Sequence, residues 1–243
     1  MIVLFTDFGN EGPYLGQMIS AIYQHGGKVR VVSLFSDAPR FNPVASSFLL
    51  SAYSSDFPKE TVFLCVVDPG VGTDLRKPVI VRADSRWYVG PDNGLFNSVA
   101  LHSHDKDKWM INFIPERLSN TFHGRDIFAP VAAQLATAKY TPDDSEKLEF
   151  NLTNWPYDLH EIIYVDGFGN LVSGLRVSQV DGQDGIYINS RHLPKADTFG
   201  NVSIGEPFWY ENANGLVEIA VNQGRADELF SASVGTKIEK KSS

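Results

Sequence analysis

Thr121-Phe122-His123-Gly124-Arg125-Asp126-Ile127-Phe128 gathers an imidazole, a guanidinium and a carboxylate just ahead of the apolar run at residues 127–133. That run predicts an amphipathic helix, whose free N–H groups and dipole make a polar mouth receptive to anions. Two further polar turns, Thr6-Asp7-Phe8-Gly9 and Val67-Asp68-Pro69-Gly70-Val71-Gly72, each follow a strand-like apolar segment. Asp7, Asp68 and His123 therefore read as parts of one site, with Arg76 as a nearby cation.

Each residue also has a plainer reading. An Asp after a strand commonly forms a turn or caps a helix, because its side chain accepts backbone N–H groups. Joint placement at the turns of one sheet is what argues for chemistry. Pro69, Gly70 and Gly72 around Asp68 describe a tight turn that lets backbone approach a ligand. A second constellation, Asp166-Gly167-Phe168-Gly169-Asn170, sets a carboxylate and an amide beside an aromatic ring, suited to an amine and a planar heterocycle. The chain has no GxGxxG, Walker or GxSxG sequence and no Cys/His metal spacing, so dinucleotide, P-loop, elbow-serine and zinc chemistry are not expected.

These residues need a scaffold. Strand-like segments at 1–6, 29–35 and 61–67 alternate with helix-like segments at 14–25 and 42–54. A hairpin is expected at 77–82 and 86–90, and a helix at 125–139. This alternation predicts an α/β domain with a mostly parallel sheet, whose ligands sit beyond the carboxyl ends of the strands. After residue 140 the pattern changes to short strands, at 161–165, 185–188, 205–210 and 216–221, separated by Gly, Asn and Asp. The expectation is two domains, residues 1–155 and an all-β, barrel- or sandwich-like domain at 156–243.

Composition narrows the partners. The 243 residues carry a net charge of −8, with 43% hydrophobic and 21% charged residues, an ordinary globular balance. Lys and Arg are scattered apart from residues 237–241, so a nucleic-acid footprint is not expected, and that terminal segment reads as a solvated end. Cys65 is the single cysteine and lies in an apolar run, where inert packing is expected. Residues 1–5 are apolar but lack a basic leader, and no apolar run approaches membrane-spanning length. These features point to the cytoplasm, without membrane partners.

Six ordered motifs carry a resemblance. Thr6-Asp7-Phe8-Gly9, Val67 to Gly72, Pro91-Asp92-Asn93-Gly94-Leu95, Phe122 to Asp126, Asp166 to Asn170 and Glu218-Ile219-Ala220-Val221-Asn222-Gln223-Gly224 resemble, in order, those of the S-adenosyl-L-methionine hydroxide adenosyltransferases, relatives of fluorinases and chlorinases. The resemblance spans almost the whole chain. It implies a Rossmann-like α/β/α domain, a small C-terminal β-barrel-like domain, and a homotrimer with active sites at subunit interfaces.

The implied reaction is S-adenosylmethionine plus water giving adenosine and methionine, with no cofactor and no metal. By the family pattern Asp68, Arg76 and His123 form a water-activating triad and Asp7 holds the ribose diol. Phe41 and Phe168 pack on the substrate, and Asp166 and Asn170 bind its methionine or adenine end. Halogenating relatives carry a hydroxyaromatic and a serine where this chain has His123 and Gly124, and an aromatic in place of Asp68, so hydrolysis is expected. Two positions depart from the pattern: Gly12 stands where the family usually has an acid, and Ala213 where it usually has a serine. The alternative from another class is a non-catalytic binder of S-adenosylmethionine or adenosine.

Overall fold

A computed structural model describes residues 1–73, 76–143 and 145–242. The chain divides into two compact units, Met1–Trp155 and Pro156–Ser243.

The first unit is built on β1 (Ile2–Thr6), α1 (Tyr14–Gly26), β2 (Val31–Phe35), α2 (Pro43–Ser54), β3 (Val62–Val66), β4 (Pro78–Ala83), β5 (Arg86–Pro91), α3 (Asn97–His102), β6 (Lys106–Met110), α4 (Ala129–Ala136) and β7 (Lys147–Leu148). Its sheet has the order β2-β1-β3-β5-β4-β6-β7. β2, β1, β3 and β5 run parallel, and β4, β6 and β7 extend that core antiparallel. β1 and β3 are buried at every residue, as apolar strands covered on both faces must be. On one face, Ile2 and Leu4 pack with Met18 and Ile22 of α1 and with Val131, Ala132 and Ala133 of α4. On the other, Phe5 meets Phe35, Phe35 meets Tyr53 of α2, and Tyr88 donates its hydroxyl to Ser54 of α2.

Local signals explain the punctuation. Asn42 Oδ1 accepts the Ala45 N–H and Pro43 opens α2, a capped start. Asp84 and Ser85 both have positive φ between β4 and β5, the backbone of a tight hairpin turn. The helix expected over 125–139 is instead a π-helical turn, Gly124–Phe128, followed by α4. The Ala129 N–H reaches back to Gly124 O, and Pro130 has no N–H with which to continue an α-helical ladder.

The second unit contains β8 (Leu159–Val165), β9 (Leu171–Arg176), β10 (Asp184–Ile188), β11 (Arg191–Leu193), β12 (Pro207–Glu211), β13 (Leu216–Val221), α5 (Ala226–Phe230) and β14 (Ile238–Ser242). Two antiparallel sheets form, β12-β13-β9-β8 and β11-β10-β14. Their inner faces share one core that includes Ile162, Leu175, Ile186, Trp209, Ile219 and Ile238. The sheet edges touch at single bridges, Glu161 with Lys237 and Lys195 with Trp209. Residues 238–242 are not a solvated end: β14 pairs with β10 along five residues, with Ile238 in the core and Glu239 and Lys241 on the outward face.

Candidate active site

The carboxyl ends of β1 and β3 deliver Asp7 and Asp68 to one cavity of about 390 Å³. Its lining includes Asp7, Phe8, Tyr14, Phe41, Asp68 and His123. Asp68 is held by Arg76, whose Nε donates to Oδ1 at 2.7 Å while Nη2 donates to Oδ2. Both side chains are about 95% buried, being 5% and 4% exposed. A forked, desolvated pair of this kind fixes the carboxylate rigidly and balances its charge.

The Asp68 turn is wedged against the segment that carries His123. Gly72 has φ +80°, and a Cβ there would lie 2.1 Å from Asn120 O, so only glycine fits. Asn93 Nδ2 donates to Val67 O at 2.9 Å and braces the same strand end. Asp7 Oδ2 accepts the Phe41 N–H at 3.0 Å. That bond fixes Phe41 at φ 56°, an unfavourable region for a bulky side chain, and leaves it 75% exposed. Phe8, Tyr14 and Phe122 pack mutually edge-on or tilted, with centroids 5.4–5.9 Å apart, and give the cavity an apolar wall.

Electrostatics separate the two titrating groups. Burial raises the Asp7 pKa, and the Asp68 carboxylate adds to that, against the Phe41 N–H and Arg40. Burial lowers the His123 pKa, with the Arg76 charge acting in the same direction and Asp68 opposing. His123 is therefore a neutral imidazole at neutral pH. Its Nδ1 and the Thr6 hydroxyl are buried without a hydrogen-bond partner among the described residues.

In the second unit a pocket of about 600 Å³ is lined by Asp166, Phe168, Asn170, Phe199, Tyr210 and Glu218 among others. Asp166 Oδ1 accepts the N–H groups of Phe168 and Asn170, each at 2.8 Å, and Oδ2 accepts Asn170 Nδ2 at 3.0 Å. The Phe168 ring stands 80% exposed at this turn.

Residues 2–145 match the SAM hydroxide adenosyltransferase N-terminal domain, and residues 160–239 match the C-terminal domain of the same name. The chain belongs to the SAM hydroxide adenosyltransferase family. It is 32% identical to a protein of Thermus thermophilus named (R)-S-adenosyl-L-methionine hydrolase, covering 98% of each chain. A Salinispora tropica protein of the same name is 34% identical, over 96% of this chain and 94% of that one. A crystal structure of an uncharacterized conserved protein from Thermotoga maritima superposes with TM-score 0.87 at 31% identity, covering 99% of both chains.

Within this family scaffold, Asp7, Phe41, Asp68 and His123 meet in one cavity with Arg76 behind Asp68, while Asp166, Phe168 and Asn170 line a pocket of the other unit. The His-Gly-Arg-Asp cluster is divided. His123 and Gly124 face the cavity, whereas Arg125 pairs with its neighbour Asp126 and both line a separate groove beside α1. Gly12 and Ala213, the two departures from the family pattern, are both exposed. Among the described residues, no group of three or more His, Cys, Asp or Glu could hold a metal ion. Glu218 entered the sequence reading only as the first residue of a family motif and Tyr210 only as a strand end, neither with a role, because both sit inside apolar strands. The period-2 alternation of Leu216 to Val221 was the available signal, since it sends Glu218 to the face opposite the core.

Proposed function

We propose that the chain hydrolyses S-adenosyl-L-methionine to adenosine and L-methionine. The observation that carries this reading is the Asp68–Arg76 pair set beside His123 and Asp7 in one cavity. The relatives' names support it and point to the (R) sulfonium epimer as the preferred substrate.

The substrate is a sulfonium, so its leaving group departs as a neutral thioether and needs no general acid. Water attacks C5′, the C5′–S bond breaks with its electrons to sulfur, and one proton must be accepted. Asp68, its charge balanced by Arg76, orients the water, and neutral His123 takes the proton. Arg76 is permanently charged and serves only to orient and stabilise. Asp7 grips the ribose hydroxyls and fixes C5′, and attack cancels the sulfonium charge, which the apolar wall of Phe8, Tyr14 and Phe122 favours. A carboxylate beside the nucleophile repels halide and tolerates water.

The exposed Phe41 and Phe168 rings support a homotrimer with active sites at subunit interfaces, where such rings would be covered. In that assembly Asp166, Phe168 and Asn170 of one copy receive the methionine or adenine end of substrate held by another. Cytoplasmic placement is part of this reading and rests on the single, buried Cys65 thiol.

Chromatography of the protein with each sulfonium epimer, beside Asp68→Ala, tests the reading. Equal amounts of adenosine and methionine, greatest with the (R) epimer and absent in the variant, are expected. Intact substrate, or 5′-chloro-5′-deoxyadenosine as the main product in excess chloride, overturns it.

A further inference from the structure

β13 alternates, with Val217, Ile219 and Val221 in the inter-sheet core and Glu218 on the other face beside Tyr210, its cross-strand partner on β12. Glu218 is 7% exposed. Burying a carboxyl in a strand face is costly unless it is hydrogen-bonded, and here both oxygens are occupied. The Tyr210 hydroxyl donates to Oε1 and Asn212 Nδ2 donates to Oε2 at 3.0 Å. Asn212 is fixed from its other end, because its Oδ1 accepts the N–H groups of Asn214 and Leu216, each at 3.0 Å. One buried carboxyl thus sets both the direction of a phenol in the pocket and the shape of the turn between β12 and β13. Burial pushes its pKa up, and the Asp166 carboxylate acts in the same direction. Among the described residues, the lining of the pocket that Glu218 and Asp166 share includes no basic side chain.

We infer that Glu218 is a positioning residue for substrate binding: by holding Tyr210 and Asn212 it fixes the register in which the second unit's pocket accepts the cationic substrate. This rests on the hydrolase reading above and adds to it a residue with no part in the chemical step. The Tyr210 ring and the Asp166 carboxylate line the same pocket, a π-face and a negative charge suited to a positively charged ligand.

The test is steady-state hydrolysis of S-adenosylmethionine by the full chain, its Glu218→Gln and Tyr210→Phe variants, and the double variant. Glutamine serves both neighbours only by turning its oxygen to Asn212 Nδ2 and its NH₂ to the Tyr210 oxygen, which abolishes the same phenol-to-carboxyl donation that Tyr210→Phe removes. A rise in KM of about tenfold for each single variant, with kcat within about twofold of wild type, is expected. The double variant should be no worse than the weaker single, since both remove one contact. A merely structural carboxyl would lower Tm and the active fraction without moving KM, and that result, or fully additive KM effects, overturns the inference. Should Glu218→Gln not fold, Tyr210→Phe alone decides, by the same rise in KM or its absence. If wild type forms no adenosine, the hydrolase reading fails separately. Calorimetric Kd values for S-adenosylmethionine then decide for Glu218, with about tenfold weaker binding in Glu218→Gln supporting it and equal binding overturning it.

Discussion

At the scale of single residues, Asp7 and His123 have been moved in opposite directions by the same burial. Asp7 has a folded pKa above its ordinary 3.8, so folding disfavours its charge. The stability it contributes is present at low pH and is lost as pH rises through that raised value. In the proposed reaction, the cost of ionising Asp7 is retained for gripping ribose. Asp7→Asn, which keeps an oxygen for the Phe41 N–H, should melt no lower than wild type at pH 7 while KM rises about tenfold. Thermal melts and Michaelis profiles of the two proteins check this, and a lower Tm with unchanged KM would show Asp7 to be structural.

His123 titrates the other way. Its folded pKa lies below the usual 6.5, so the native state resists protonation and loses stability relative to the unfolded chain as pH falls below 6.5. The imidazole is free to take a proton at pH 7. The rate kcat should hold between pH 7 and 8 and fall only on an acid limb below 6.5, a profile read from initial rates at saturating substrate. A rate that instead falls as pH rises from 6 to 8 would mean that His123 works as a cation.

At the scale of elements, the site depends on one loop touching another. Gly72→Ala would drive a Cβ to 2.1 Å from Asn120 O at φ +80°, and so push the Asp68 turn off the segment bearing His123. A stability loss of about 2–3 kcal/mol is expected, with kcat falling more steeply than the folded fraction. Gly70→Ala, whose nearest neighbour beyond the local backbone is Thr73 Oγ1 at 3.6 Å, is the near-neutral control. Equal behaviour of the two variants in urea melts and rate assays would remove the loop contact from the argument.

The same scale shows what was legible in the sequence. β1, β3 and the β4–β5 hairpin announced themselves through unbroken apolar runs and turn residues, and with them the positions of Asp7 and Asp68. β6, Lys-Asp-Lys-Trp-Met, did not, because its charges are absorbed by partners: Lys108 is 4% exposed and bonds Asp92. α3 is a six-residue helix, too short for a period to show. β14 hid behind its lysines, and the fork of Arg76 on Asp68 joins residues eight apart, a pairing that no spacing rule anticipates.

At the scale of the molecule, the two pockets of the proposed site stand on separate units, and each exposes an aromatic ring, Phe41 at 75% and Phe168 at 80%. In the proposed trimer a working site draws Asp68 from one copy and Asp166 from its neighbour. Asp68→Ala and Asp166→Ala should then each be inactive alone, and light scattering should give both a mass three times that of one chain. Unfolded together and refolded at equal concentration, they should regain about one quarter of wild-type activity, because half the copies bring an intact Asp68 and half of their neighbours an intact Asp166. A site built within one chain predicts no recovery at any mixing ratio, since every chain carries one lesion. Recovery that rises and falls with the proportions, peaking at equal mixing, is the signature that neighbouring copies complete one another.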